Sequence, residues 1–131
     1  MITHSLNTNN LYDNFSGVIE LTSDDFEITE NSVKVINKNF KEMYGFIKFY
    51  APWCPHCTKL RELWSDLAIE FKNKFVIGAV NCENKKNYII RNRLRILQYP
   101  TIKTVSNKGI VSNYEGDYMK DNMIFYICNK L

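Results

Sequence analysis

The sequence predicts an α/β fold with a mixed central sheet, in which parallel strands lead to a C-terminal antiparallel hairpin and helices cover both faces. Three observations support this prediction. The apolar runs 46–51 and 75–82 are typical of buried parallel strands. Between them, residues 60–71 repeat apolar side chains at helical spacing. Towards the end, the turn residues 106–109 separate two alternating segments, which indicates a hairpin.

The N-terminal part of the chain divides into an arm and a segment with two possible structures. Residues 1–17 are polar and rich in asparagine, so we expect a loosely ordered arm ahead of one domain that spans 18–131. Residues 18–32 form either an added hairpin or an alternative first strand and helix. The alternating segments 26–28 and 33–36 can pair across a turn, which favours the hairpin.

The remaining elements follow from shorter patterns. The apolar run 18–21 is a strand candidate. Residues 37–44 are expected to form a short helix that ends before Gly45, and 85–93 a further helix. The terminal segment 119–131 also has helical spacing. Its inward face is predicted to carry Met123, Ile124, Ile127 and Leu131.

Two cysteines at positions 54 and 57 separate the first buried strand from the long helix. If the helix begins between them, Cys54 lies at its N-terminal end, near free backbone N–H groups and the positive end of the helix dipole. That environment favours the thiolate, which is the reactive form. Cys57 then lies one turn further along, close enough to form a disulfide with Cys54. The spacing and its context are therefore typical of a redox site.

The segment around the two cysteines resembles the active-site segment of the protein disulfide isomerases, Phe-Tyr-Ala-Pro-Trp-Cys-Gly-His-Cys, within the thioredoxin superfamily. Here Pro55 stands in place of the glycine, and the resulting Cys-Pro-His-Cys resembles the bacterial periplasmic thiol oxidases. The resemblance covers roughly residues 33–131 and takes 33–36 as the first strand of the domain. Its other landmarks are Val80-Asn81-Cys82, Tyr99-Pro100-Thr101 and Tyr114-Glu115-Gly116.

This resemblance implies a thioredoxin fold and a thiol–disulfide oxidoreductase that acts on protein thiols and disulfides without a cofactor. Cys54 is expected to attack the substrate, and Cys57 to resolve the mixed disulfide. His56 can donate a hydrogen bond to the Cys54 thiolate or add positive charge beside it, and either favours the thiolate. A redox partner is then needed to recycle the Cys54–Cys57 disulfide.

Four more residues are expected to support the site. Pro55 lacks an N–H and fits the first helical turn. Trp53 would form an apolar lip for the substrate. Tyr99 and Pro100 belong to the Tyr-Pro-Thr segment, in which the family has a cis proline peptide whose neighbours present free backbone groups to a substrate strand.

The sequence departs from the family at four positions. Lys48 stands where the family has a buried acid that exchanges a proton with the resolving cysteine. A charged amine would favour a Cys57 thiolate, whereas a neutral amine could itself take the proton. Ala79 replaces the lysine that pairs with that acid, and Tyr118 replaces a mobile arginine. Glu62 replaces a proline that kinks the long helix, so we expect a straighter helix.

The direction of the reaction remains open on sequence grounds. Groups that stabilise the thiolate make the disulfide a stronger oxidant, which favours oxidation or isomerisation of protein thiols. The chain, as it stands, begins without a basic and apolar leader and ends without a retention signal, so it is expected to be cytoplasmic. That location favours a thioredoxin-like reductase as the alternative. An oxidising compartment is the expectation if a leader is missing.

Other classes of function fit the sequence less well. A zinc site needs four ligands, whereas the remaining candidates, Cys82, Cys128 and His4, are scattered along the chain. Cys82 and Cys128 are instead predicted to be small buried hydrophobic residues. The net charge of +3 and the absence of a long apolar run indicate neither nucleic acid nor membrane as a partner. A solvated face is the prediction for Arg91, Arg93 and Arg95. A redox-weak binding module, suggested by Lys48, is the other alternative.

Overall fold

The computed structural model describes residues 9–13 and 15–131. Within them the α/β order is confirmed, with the C-terminal hairpin in its predicted place. In chain order, the strands and α-helices are β1 (Ile19–Leu21), β2 (Phe26–Ile28), β3 (Val33–Val35), β4 (Gly45–Tyr50), α1 (Pro55–Lys59), α2 (Arg61–Glu70), β5 (Val76–Asn81), α3 (Tyr88–Arg93), β6 (Thr101–Val105), β7 (Val111–Asn113) and α4 (Lys120–Cys128).

The central sheet has the strand order β1-β5-β4-β6-β7. Strands β1 and β4 run parallel to β5, while β6 runs antiparallel to β4 and β7 antiparallel to β6. Successive residues of β4 point to opposite faces, so Phe46 joins one apolar cluster with α2 and α4, and Ile47 joins the other with α3. The predicted mixed sheet with helices on both faces is therefore confirmed.

The first strand of the sheet is β1, so the assignment of that role to 33–36 is wrong. Residues 33–35 instead pair with β2 in a separate two-stranded antiparallel sheet, which confirms the predicted hairpin. The short helix expected over 37–44 is reduced to one 3-10 turn, Lys38–Phe40. It ends early because Lys41, the next residue, already has an extended backbone with φ of −63° and ψ of 119°, and Glu42 after it has a left-handed φ of 56°.

The helix after the cysteines is divided, against the expectation of a straighter helix. Leu60, with φ of −84° and ψ of −2°, ends α1 and begins α2 without any proline at Glu62. At the other end of the chain, Leu131 lies beyond α4 and is exposed, so its predicted place on the inward face is wrong. Met123 and Ile127 are buried as predicted.

The described part of the N-terminal arm contacts the domain. Tyr12 is buried, and the Leu11 N–H donates to the Tyr50 hydroxyl at 3.0 Å. The Asn81 amide donates to Asn10 Oδ1 at 3.1 Å. One buried aromatic ring therefore attaches part of the predicted arm to the domain. His4, considered above as a metal ligand, lies outside the described residues.

None of the helices in residues 9–13 and 15–131 combines the length and the apolar character required to cross a bilayer.

Candidate redox site

The turn between β4 and α1 places Cys54 at the beginning of the helix, as the spacing predicted. The Cys54 N–H donates to the Ala51 carbonyl at 3.1 Å, and the Cys54 carbonyl accepts the Thr58 N–H at 3.1 Å. Pro55 is the first helical residue, where a missing N–H leaves no intrahelical bond unmade. Cys54 therefore lies between the end of β4 and the N-terminus of α1, and Cys57 lies within α1 with its side chain buried.

The two cysteines lie beside the loop that carries Tyr99 and Pro100, which we call the proline loop. The Cys54 thiol donates to the Tyr99 carbonyl at 3.6 Å, and the Tyr99–Pro100 peptide is cis, as the resemblance implied. The Trp53 ring meets the Tyr99 ring edge-on at 6.0 Å and is 43% exposed, which suits a substrate lip. Cys57 is fully buried.

The thiols are both free, so the structure shows the dithiol form. Burial raises the pKa of Cys57, and a hydrogen bond with Cys54 raises it further, although a backbone hydrogen bond from Ala51 and the charge of Lys48 act in the opposite direction. Cys57 is therefore held as a thiol at neutral pH. His56 and Pro55 lie on the exposed side of the helix start.

Lys48 is fully buried beneath the cysteine pair. Its amine donates to the Tyr12 hydroxyl and, at 3.3 Å, to the Cys57 carbonyl. Burial lowers the pKa of the Lys48 amine to about 8, while the nearby Cys57 and Glu20 act to raise it. Three aromatic rings surround the amine at 4.8, 5.7 and 5.8 Å, belonging to Tyr12, Tyr50 and Trp64.

A carboxylate partner for Lys48 exists, but it lies two strands away on β1. Lys48 is in register with Ala79, and Ala79 is in register with Glu20. The small Ala79 side chain separates the two charged side chains on the same sheet face. A buried acid is therefore present on the sheet face that carries Lys48, but it belongs to β1 and not to β4.

Glu20 is held by groups from the arm and from β4. Its carboxylate accepts hydrogen bonds from the Tyr50 hydroxyl and from the Tyr12 N–H. Burial raises the pKa of Glu20 to about 7, and these hydrogen bonds and the charge of Lys48 act to lower it. Sequence reasoning missed Glu20, Tyr12 and Tyr50 as members of the site. A lone acid inside an apolar strand candidate, Ile-Glu-Leu, was the available signal.

Tyr118, which stands where the family has a mobile arginine, makes structural contacts. Its hydroxyl accepts the Ile102 N–H at 2.8 Å, next to the proline loop, and its ring stacks on Tyr114 at 6.1 Å. Tyr118 therefore fixes the start of β6 and brings no positive charge to the site.

The two remaining cysteines differ from each other. Cys82 is buried, as predicted, whereas the prediction of burial for Cys128 is wrong. Ile127 turns inward at the end of α4, so the next residue along the helix faces outward. In residues 9–13 and 15–131, no three potential metal-binding side chains of the Cys, His, Asp and Glu types come together.

The arginines near the site have structural contacts. The Arg91 guanidinium lies 3.9 Å from the centre of the Tyr88 ring and donates to the Cys82 carbonyl at 3.5 Å. Arg93 donates to the Thr29 carbonyl at 3.0 Å, which joins α3 to the β2–β3 turn.

Comparison with known proteins agrees with the fold. The sequence matches the thioredoxin family over residues 18–129, a range that begins earlier than the predicted residue 33 and so includes β1. Thioredoxin f from spinach chloroplast (long form) superposes with a TM-score of 0.66 at 21% identity, covering 88% of this chain and 87% of that one. The first thioredoxin domain of mouse protein disulfide-isomerase A4 gives 0.66 at 20%, covering 87% and 75%.

The curated relatives include protein disulfide isomerases. Protein disulfide-isomerase 1 of Dictyostelium discoideum is 31% identical over 115 residues, covering 86% of this chain and 29% of the relative. Protein disulfide-isomerase A6 of Homo sapiens is 33% identical over 115 residues, covering 87% and 24%. The chain thus spans less than a third of the length of either relative. On the family match and the shared fold, this chain belongs to the thioredoxin family.

Proposed function

We propose that the chain is a thiol–disulfide oxidoreductase that acts on protein thiols and disulfides through Cys54 and Cys57. One observation carries the proposal: Cys54 begins a helix beside the cis-proline loop, while Cys57 lies buried one turn behind it. The relatives' names support the same chemistry. Thiol–disulfide exchange needs this division between an attacking thiol and a resolving thiol.

The reaction conserves electrons in two exchange steps. In the reducing direction, the Cys54 thiolate attacks a substrate disulfide, forms a mixed disulfide and displaces one substrate thiolate. Cys57 then gives up its proton and attacks the Cys54 sulfur, which releases the second substrate thiolate and leaves the Cys54–Cys57 disulfide. Two electrons pass to the substrate. Oxidation of a substrate dithiol is the same sequence in reverse.

The substrate surface consists of the residues around Cys54. Trp53 is half-exposed, and its ring is held edge-on against Tyr99. The Tyr99 carbonyl accepts the Cys54 thiol, and the Pro100 loop ends at the start of β6. Leu97, in the same loop, is also exposed. Apolar side chains next to backbone hydrogen-bonding groups suit an extended, partly unfolded protein segment.

Oxidation or isomerisation is the proposed direction. Cys54 stands at a helix N-terminus, and His56 is exposed two residues later. In disulfide oxidoreductases, a helix N-terminus and an adjacent imidazole are groups that stabilise the reduced form of the attacking cysteine, and a more stable reduced form makes the disulfide the stronger oxidant. A partner of more oxidising potential must then restore the disulfide.

Trapping of the mixed disulfide tests the assigned roles. In a Cys128→Ser background, which removes the exposed thiol, Cys57→Ser should hold a disulfide-containing peptide on Cys54, because no thiol remains to resolve it. The converse variant, Cys54→Ser, should trap almost none because Cys57 is buried. Intact mass and peptide mapping give the site. Equal trapping on Cys57 in the converse variant would overturn the assignment.

A further inference from the structure

The buried side of Cys57 faces a polar cluster built partly from outside the family domain. Lys48 comes from β4 and Glu20 from β1, whereas Tyr12 comes from the arm that precedes the family match at residue 18. Tyr12 is buried, and it touches both charged residues: its hydroxyl accepts from the Lys48 amine and its N–H donates to the Glu20 carboxylate. One residue of the arm therefore fixes two side chains of the sheet.

Cys57 needs a proton acceptor before it can resolve a mixed disulfide. Its thiol is fully buried, and burial raises its pKa, so the thiolate is scarce at neutral pH. The Lys48 amine contacts the same residue, since it donates to the Cys57 carbonyl at 3.3 Å, and it interacts electrostatically with the Cys57 thiol. The charge of Lys48 acts to lower the pKa of Cys57, against the effect of burial. Glu20 acts on the amine and favours its charged form.

The Lys48 amine can take the proton because burial makes its neutral form available. With a pKa of about 8, about one amine in ten is neutral at pH 7. An amine in that state has the lone pair that a proton acceptor needs, and general base catalysis is most effective when the pKa lies near the working pH. The amine must, however, be held towards Cys57 on a long and flexible side chain.

We propose that Tyr12 is a positioning residue of the reaction, which holds the Lys48 amine beside Cys57 so that this amine takes the thiol proton during resolution. The proposal rests on the proposed function. In the step, the proton moves from the Cys57 sulfur to the neutral amine as the sulfur attacks Cys54 and the substrate thiolate leaves. The ammonium then returns its proton to water, and the released substrate thiolate takes one from water, so charge and protons balance.

The pH dependence of this step depends on every charged or titratable group around the amine. Glu20 faces it from β1, Cys54 and Cys57 from α1, Arg61 from α2, and Tyr12 from the arm. Tyr50, on β4 itself, also surrounds the amine. Of these, the two cysteines and Glu20 favour the charged amine and Arg61 disfavours it. Loss of the Tyr12 hydroxyl removes a hydrogen-bond acceptor from the ammonium, so it should move the amine pKa downward.

A single-turnover measurement tests the proposal. Reduced protein in the Cys128→Ser background is mixed with dithiobis(nitrobenzoate). This disulfide reagent forms a mixed disulfide at Cys54 and releases one thionitrobenzoate. Release of the second thionitrobenzoate reports resolution by Cys57. Its rate is followed from about pH 5 to 10 in four proteins: the parent, Lys48→Met, Tyr12→Phe and Tyr126→Phe. The last is a matched control, since Tyr126 lies on α4 against Phe46 and Phe75, away from the amine.

The parent rate should rise with pH and level off near the pKa of the amine. Lys48→Met should resolve about 100-fold more slowly at pH 7, the usual scale of a lost general base, and its rate should keep rising without levelling. In Tyr12→Phe, resolution should be about tenfold slower at pH 7, as expected when the amine is misplaced, and its rate should level off at a lower pH. Tyr126→Phe should follow the parent. Circular dichroism confirms that each variant is folded.

The outcomes separate this proposal from the proposed function. A parent protein that forms the mixed disulfide but never releases the second thionitrobenzoate overturns the proposed function, and this proposal with it. Resolution in the parent with the same pH profile in Lys48→Met or Tyr12→Phe overturns this proposal alone. So does a parent rate that falls as the amine loses its proton, because the amine would then act through its charge and not as a base.

Discussion

Two thiols three positions apart in the chain have different surroundings: Cys54 keeps 6% of its surface exposed, whereas Cys57 has none. Cys54 is at the start of α1, on the edge next to Trp53 and the proline loop, whereas Cys57 is enclosed above Lys48. Cys54 precedes the first helical residue, whereas Cys57 is the third residue of α1, so the helix places the second thiol deeper beneath the substrate surface. This difference allows Cys54 to contact the substrate while Cys57 stays protonated until the mixed disulfide forms.

Alkylation should distinguish the four cysteines of the reduced protein. At about pH 7, iodoacetamide should label Cys54 and Cys128 and spare Cys57 and Cys82, because both of the latter are fully buried and burial raises their pKa values. Peptide mass mapping after a short reaction gives the pattern, and labelling in denaturant should reach all four. Labelling of Cys57 as fast as Cys54 in the folded protein would contradict the two environments.

At this scale, the motif residues were predictable and their support was not. Cys54, Cys57 and Lys48 could be assigned from sequence, since each follows from local spacing or from the family pattern. Glu20 could not be assigned to the site, because its place depends on the register between strands that are distant in the chain. Tyr12 could not be assigned either, since nothing local indicates which residue of a polar arm becomes buried.

Among the elements, β1 determines how the buried charges are arranged. It adds an edge to the sheet on the far side of β5 and brings Glu20 level with Ala79 and Lys48. The sequence predicted most elements correctly, because strong apolar runs and helical spacing defined them. The strand candidate 18–21 contains β1, whereas the family resemblance placed the first strand at 33–36; a run of four residues is too short to carry a distinct period that would decide between them. The expected helix over 37–44 does not form because the backbone becomes extended at Lys41 and left-handed at Glu42.

The Glu20 carboxyl should make stability depend on pH. Its pKa is raised from 4.5 to about 7, so the folded protein holds this proton more tightly than the unfolded chain does. The stabilisation is fully present below about pH 4.5 and is lost as the pH rises through about 7. Glu20→Gln keeps an acceptor for the Tyr50 hydroxyl and removes this titration.

Urea unfolding at several pH values between about 4.5 and 8 measures the effect. The parent protein should lose stability relative to Glu20→Gln across this range. Glu27→Gln provides the matched control, because Glu27 is an exposed carboxylate on β2 and should leave the parent's pH dependence unchanged. An equal pH dependence in the parent and in Glu20→Gln would show that Glu20 is not the buried, titrating group described here.

For the whole molecule, the fold determines where the reaction occurs and leaves its direction to local chemistry. The central sheet brings the β4–α1 turn and the loop before β6 together at one end, so Cys54 meets the Tyr99 carbonyl across 45 positions of sequence. Members of this fold span about 150 mV in reduction potential, from about −270 mV for thioredoxin to about −120 mV for the strongest oxidants. The potential therefore separates the proposed oxidase or isomerase from a reductase.

The most direct test of the central claim is the reduction potential of the Cys54–Cys57 pair. The protein, in the Cys128→Ser background, is equilibrated in graded glutathione buffers, its thiols are trapped by rapid alkylation, and the reduced fraction is read by mass. The account predicts a single two-electron transition at a potential of about −180 mV, the value of protein disulfide isomerase. A transition near about −270 mV would contradict the proposed direction, and no reversible transition would contradict the redox pair itself.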